Sequence, residues 1–288
     1  MPLFNDAGEF TGLMGWAHEQ EDREFLHEKG KEFDLFGAFT APEQIDPRGW
    51  LTIRNQGAPP PGEGSCAGHA MACGCRVLNW IGTQGDEIDL SPQFAYRVGQ
   101  MCAGIRGDRG CTISGVIQGG IKYGVLLEEL LPYSGSYDLE PTRENFDSAH
   151  DHLLKNFTPL YSYDDVFQWL ASGVGVVIVG IQWTESMARH KGPEPIEEMS
   201  GRVVGGHAQC WPGYTRRKGS KDRKYIVDIN SWGEEWGDRG TAEFSPDVVD
   251  QICADKSCEV IGVSDLATYR AGRASWIMSN PLLHRFKF

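Results

Sequence analysis

Apolar positions follow two different rhythms along this chain. From Cys66 to about Ile81 they recur at helical spacing in a long run. Ser65 stands just before that run as a candidate N-cap, and the loop Ala58-Pro59-Pro60-Pro61-Gly62-Glu63-Gly64 precedes it. A second helix is predicted from Ser91 to Gln100, opened by Ser-Pro, and a third from Ser114 to Lys122. An earlier, mostly polar stretch from His18 to Lys31 predicts a surface or arm helix with few apolar anchors. Beyond these the pattern changes. Val174 to Ile181 is a β-branched run suited to a buried strand, and further strands are predicted at Val203-Val204, His207 to Tyr214, Lys224 to Ile229 and Thr241 to Phe244. Helices first and strands later imply an α+β chain with a helical lobe and an antiparallel sheet or barrel lobe.

A length of 288 residues is enough to bury a sizeable core as one large domain or two lobes. The formal net charge of −13 argues against nucleic acid and against an anionic membrane surface, both of which need a basic face. No segment approaches the roughly 18 to 20 apolar residues of a membrane span. Met1 to Asp6 lacks the basic and apolar regions of a signal peptide, so a cytoplasmic location is expected, with release by lysis or association with a particle as alternatives. Eight cysteines, at 66, 73, 75, 102, 111, 210, 253 and 258, are too sparse for a disulfide scaffold, although Cys253 and Cys258 are spaced to close a small loop. His69, Cys73 and Cys75 do not share a helical face, so they read as core and not as a metal site. No metal or other cofactor is expected. Asn156-Phe157-Thr158 matches a glycosylation acceptor and is expected to be idle without a secretory route. His150, His152 and His190 read as surface residues.

Three segments far apart carry the candidate chemistry: Gly64-Ser65-Cys66-Ala67-Gly68-His69, Gly205-Gly206-His207-Ala208 and Asn230-Ser231-Trp232-Gly233. A cysteine at a helix N-terminus sits among unpaired N–H groups and the positive end of the helix dipole, which favour its thiolate. An imidazole nearby favours it further, and an asparagine can accept from that imidazole and fix its tautomer. On this reading Cys66 is the nucleophile, His207 its base and Asn230 the orienting group. Trp232 covers the His207–Asn230 bond, and Gln56, ten residues before Cys66, supplies an amide N–H to an oxyanion together with the Cys66 backbone N–H. The reaction implied is acyl transfer through a thioester.

These motifs resemble the papain-like cysteine peptidases. The family pattern around the nucleophile is matched by Glu63-Gly64-Ser65-Cys66-Ala67, with His207 lying 141 residues and Asn230 lying 164 residues downstream. The extra length between the last two is assigned to a hairpin insertion, Arg216 to Lys221. Pro42 to Gly57, Leu90 to Gln93, Lys122 to Val125 with Pro132-Tyr133, and Asn230 to Gly240 extend the likeness over about residues 39 to 262. The resemblance implies a two-lobe fold with the active site between the lobes, and peptides or proteins as substrates. It divides the chain into an N-terminal extension (1–38), a catalytic domain (39–265, helical lobe about 50–150, β lobe about 155–262) and a tail (266–288). Three departures stand out. Ala67 replaces the usual aromatic, Glu63 replaces a cysteine and so removes one expected disulfide, and the loop before Cys66 is longer than usual. Gly110-Cys111-Thr112-Ile113-Ser114-Gly115 is more similar to the substrate-binding turn of prokaryotic members.

The main alternative is a papain-fold structural or latent component of a larger assembly, such as a virion, with both termini as arms contacting a partner. Residues 1–38 are too short for the family's usual propeptide yet long enough to cross the cleft. The basic residues Arg270, Arg273, His284, Arg285 and Lys287 would let the tail dock on an acidic surface. A cell-wall amidase is a weaker third reading, because Asn230-Ser231-Trp232-Gly233 does not suit its third group.

Overall fold

The computed structural model describes residues 3–30, 40–83, 85–149, 154–217 and 223–265. The helices of the first part are α1 (Gln20–Lys29), α2 (Cys66–Thr83), α3 (Pro92–Ala103), α4 (Ile113–Lys122) and α5 (Arg143–Ala149). They are followed by β1 (Asn156–Pro159), α6 (Tyr163–Ala171), β2 (Val176–Thr184), α7 (Glu185–Ala188), β3 (Val203–Arg216), β4 (Lys224–Ile229), β5 (Thr241–Phe244), α8 (Pro246–Ala254) and β6 (Glu259–Ser264). The six strands form one antiparallel sheet in the order β1-β6-β2-β3-β4-β5. This is the expected α+β two-lobe arrangement.

Small side chains decide where α2 lies. A Cβ added at Gly68 would crowd Pro92 and Tyr96 of α3, and one at Gly74 would press on Val176 and Ile178 of β2. The helix is therefore gripped by α3 on one side and the sheet on the other, and most of its residues are buried. β2 is buried on both faces, which explains why its sequence is a continuous β-branched run and not an alternating one. One continuous apolar core runs from α2 through β2 and β3, and a smaller cluster of Phe94, Val98, Leu126, Leu131 and Ala149 lies under α3.

Several expectations need correction. Val203-Val204 and His207 to Tyr214 are not separate strands; β3 runs unbroken through Gly205-Gly206. Those glycines do not end the strand. They leave room for the N-terminal segment, because Cβ atoms there would meet the side chain of Met14 and the backbone and ring of Trp16. The sequon at Asn156 is a buried strand, β1, paired with β6. α1 is anchored more firmly than its polarity suggests: Leu26 is fully buried and Phe25 stacks on Phe157. His190 is half-buried against the ring of Trp236. Cys253 and Cys258 remain free thiols. His150, His152, positions 218–222 of the hairpin insertion and the tail 266–288 lie outside the described residues.

The segment leading into α2 is held by the Asp108 carboxylate. Gly64 N–H and Tyr96 Oη both donate to Asp108 Oδ1, at 2.9 and 2.7 Å. Gln100 Nε2 reaches Tyr96 Oη and the carbonyls of Gly107 and Gly110, so α3 carries the 107–111 turn on one amide. Beside this stands Glu63, which is buried. Burial, and then the charge of Asp108, push its pKa up to about 7 against the opposing effects of Gln93 and Arg97. A carboxyl raised in the folded state stabilises it while protonated. The contribution is complete below the ordinary carboxylate range and is lost as pH rises through about 7. Glu63→Gln is therefore expected to flatten the fall in thermal midpoint between about pH 4.5 and pH 7. Parallel melting curves for the two proteins across that range check this; identical slopes would contradict the assignment.

Candidate active site

Cys66 is the first residue of α2 and is completely buried. Ser65 does not act as the simple cap its position suggests. Its hydroxyl faces Tyr133 Oη at 3.0 Å and His69 Nδ1 at 3.3 Å. Ala208 N–H on β3 donates to Cys66 Sγ at 3.4 Å, which places the neighbour of His207 directly against the thiol. Burial pushes the Cys66 thiol up to about 12, outweighing the backbone N–H groups of Ala208, Ala67, Gly15 and Cys66 itself, which favour the thiolate.

His207 lies on β3, also fully buried. Its Nε2 is 2.9 Å from Asn230 Oδ1, and the same oxygen accepts the Ser231 N–H at 2.6 Å. Because Oδ1 is thus an acceptor, the neutral ring carries its proton on Nε2 and leaves a lone pair on Nδ1. Nδ1 is buried, with no hydrogen-bond partner among the described residues. Burial lowers the imidazole to about 4, although the Asn230 bond works in the other direction. Thiol and imidazole are therefore both uncharged at neutral pH in this state. Trp232 stacks on the ring at 4.4 Å and 24°, and Trp183 meets it edge-on at 5.4 Å.

Gln56 is locked from every side. Its Oε1 accepts from Ser231 Oγ at 2.6 Å, its N–H donates to the Ser231 carbonyl at 2.8 Å, and its carbonyl accepts from Tyr133 Oη at 2.6 Å. The long loop before Cys66 curls back, with Glu63 N–H returning to the Gln56 carbonyl at 3.0 Å. Gln56 Nε2 then points to two carbonyl oxygens, those of Glu63 and Leu13, each at 3.2 Å. The five residues expected to act, Cys66, His207, Asn230, Trp232 and Gln56, are thus gathered at one place between the helices and the sheet. Among the described residues no group of three His, Cys, Asp or Glu side chains is placed to hold a metal ion.

The cleft is filled by the chain's own residues 13–17. The Leu13 carbonyl accepts from both Gln56 Nε2 and Trp232 Nε1, the latter at 3.1 Å. The Gly15 carbonyl accepts from Cys111 N–H at 2.7 Å, Ala17 N–H donates to the Cys111 carbonyl at 3.0 Å, and Trp16 N–H donates to Gly206 at 3.2 Å. The segment pairs with Cys111 in a parallel bridge and covers both the helix end and β3. A Cβ at Gly15 would overlap the Gly64 carbonyl, and one at Gly110 would overlap Gly15, so three glycines let the strands of chain pass each other. Phe10 packs on Trp232, and Arg23 Nη1 bonds the Cys258 carbonyl at 2.7 Å, pinning the arm at both ends. Leu13 to Trp16 and Trp183 belong to no motif of the sequence, and Tyr133 enters there only as part of the family likeness. Leu13-Met14-Gly15-Trp16 is nevertheless an apolar patch in an otherwise polar extension, which is a signal of burial.

Comparisons with known proteins bear on the family and the fold. A model described as papain family cysteine protease matches residues 41–262. Peptidase 1 of Psoroptes ovis is 27% identical over 238 residues, covering 80% of this chain and 69% of that protein. Among solved structures, xylellain, a cysteine protease from Xylella fastidiosa, is similar with a TM-score of 0.63 at 17% identity, covering 92% of this chain and 95% of xylellain. The ragweed pollen cysteine protease Amb a 11 in its proform has a TM-score of 0.64 at 18% identity, covering 87% and 76% of the two chains. Bromelain from Ananas comosus has a TM-score of 0.60 at 19% identity, covering 77% of this chain and 99% of bromelain. With about three quarters of its length matched by the family model, the chain belongs to the papain family of cysteine proteases.

Proposed function

We propose that this cysteine peptidase hydrolyses peptide bonds through a thioester on Cys66, and that the form described here is latent. The observation that carries the reading is the path of residues 13–17, which occupy the donor of Gln56, seal Cys66 and leave His207 Nδ1 without a partner. The family assignment lends no support to the alternative of a structural component of a larger assembly.

In the proposed reaction, withdrawal of the arm readmits water. Hydration lowers the thiol pKa and raises the imidazole pKa, so the proton passes from Cys66 to His207 Nδ1. The thiolate attacks the scissile carbonyl carbon, and the oxyanion takes the place of the Leu13 oxygen on Gln56 Nε2. His207 gives its proton to the departing amine, which leaves a thioester on Cys66. A water then loses a proton to His207, attacks the thioester and releases the acid, restoring the thiol. Asn230 holds the ring in one tautomer throughout, and the Trp232 indole shields that bond from water.

Cys66→Ala is expected to abolish peptide hydrolysis by the arm-free enzyme. Gln56→Ala is expected to lower kcat by about 10²- to 10³-fold, the usual cost of one oxyanion donor; both are checked with a fluorogenic peptide. Gly15→Val, which has no room for its side chain, is expected to expel the arm and speed alkylation of Cys66 by about tenfold or more at pH 7. The pH at half-maximal alkylation rate is expected to fall from near 12 towards or below the ordinary thiol range. An unchanged alkylation rate in Gly15→Val, with the protein folded, would show that the arm does not control the nucleophile.

A further inference from the structure

Tyr133 stands between the two groups expected to hold an oxyanion. Its hydroxyl is 2.6 Å from the Gln56 carbonyl and 3.0 Å from Ser65 Oγ, and Ser65 precedes Cys66 in the chain. One phenol thus touches the residue that carries the Nε2 donor and the residue next to the Cys66 backbone N–H. Between Gln56 and Ser65 the chain loops away and returns at Glu63, whose N–H donates to the Gln56 carbonyl at 3.0 Å.

The supply of protons fixes the direction of each bond. The Gln56 carbonyl can only accept, so the Tyr133 proton goes there. Tyr133 Oη then accepts from Ser65 Oγ, whose other acceptor, the Glu63 carbonyl, is farther away at 3.5 Å. His69 Nδ1 lies 3.1 Å from the Ser65 carbonyl, a pure acceptor, so Nδ1 carries the ring proton; it also faces Ser65 Oγ at 3.3 Å. The result is one directed chain from His69 on α2 through Ser65 and Tyr133 to Gln56. Bonds aligned in this way polarise and strengthen one another. Burial keeps both rings neutral: it lowers the His69 imidazole to about 3 and pushes the Tyr133 phenol well above its usual range. The rings meet edge-on at 4.6 Å. Tyr133 is also held from outside the site. Its N–H donates to Glu128 Oε1 at 3.0 Å, and Arg54 Nη1 holds the same oxygen at 2.8 Å.

We propose that Tyr133 is a positioning residue for the proposed hydrolysis, its hydroxyl setting the separation of the two oxyanion donors, Gln56 Nε2 and the Cys66 N–H. The inference rests on that reading of the site. The Gln56 side chain and backbone N–H are both tied to Ser231, which follows β4 on the sheet side. Its bonds with Glu63 tie it to the loop. The bond through Tyr133 runs to Ser65 and so to the helix that carries Cys66. Without it Gln56 follows the sheet while the Cys66 N–H follows α2, and the two donors no longer converge on one oxygen.

The test has two parts. In the full chain with its arm in place, hydrogen exchange of the Gln56 side-chain amide is followed by NMR, its signals identified by their loss in Gln56→Ala. Gln56 Nε2 has two acceptors, the Leu13 and Glu63 carbonyls, so slow exchange is expected in the parent. Exchange at least about tenfold faster is expected in Tyr133→Phe. In the full chain carrying Gly15→Val, Tyr133→Phe is expected to lower kcat by about tenfold with KM held within about twofold, because the interaction lost belongs to the transition state. Ser65→Ala breaks the same bridge at its other end and is expected to follow Tyr133→Phe. Added to Gln56→Ala, Tyr133→Phe is expected to change kcat by less than about twofold, since the donor it positions is gone. The proposal is overturned by unchanged amide exchange in Tyr133→Phe, or by an equal loss of kcat with and without the Gln56 side chain. A Gly15→Val parent that hydrolyses no peptide would count against the proposed reaction instead, and the amide exchange would still decide the role of Tyr133.

Discussion

The close approach of α2 to its neighbours is the constraint on which the site depends. Gly68 lets the helix touch α3, and Gly74 lets it touch β2. Larger side chains at either position would push α2 outward and carry Cys66 away from Ala208 and β3. Dense packing transmits such a shift without absorbing it. The helix is thus a fixed post for the nucleophile, while the opposite wall is a strand whose two glycines, Gly205 and Gly206, leave a channel beside His207.

That channel explains the electrostatic state of the site. A thiolate and an imidazolium stabilise each other best where water and backbone dipoles assist them. With Leu13 to Ala17 in the channel, water is displaced and burial dominates. The neutral pair is then favoured, although the helix N-terminus and four backbone N–H groups all favour the thiolate. Latency is in this sense a solvation effect as much as a steric one. Glu63 shows the same physics in a carboxyl. It stands where the family resemblance leads one to expect a cysteine, and burial beside Asp108 raises its pKa to about 7.

Much of the candidate site was legible from residue types and spacing. Cys66 opens a helix, His207 lies on a strand, and Asn230-Ser231-Trp232 follows the next one; all converge as those local signals imply. Most of the longer elements were also readable, because α2, α3, α4, β2 and β4 carry clear periodicity, caps or β-branched runs. The short elements were not. β1 and β6 have four and six residues, too few to show a period, and they are strands because they pair with each other and with β2. The break predicted inside β3 fell at Gly205-Gly206, which lie within the strand and make room for another segment.

Residue chemistry alone therefore determined which groups can act: a thiol at a helix N-terminus, an imidazole, an amide to orient it and an amide to meet an oxyanion. Local rules suffice there, because capping, periodicity and hydrogen-bonding capacity belong to the residues themselves. Tertiary structure decided everything that depends on what lies beside what. It placed Gly15 between Gly64 and Gly110 and turned Ser65 to Tyr133 instead of the helix backbone. Burial and charge proximity arise only when distant segments meet, so the muted thiol at Cys66 could not be read along the chain.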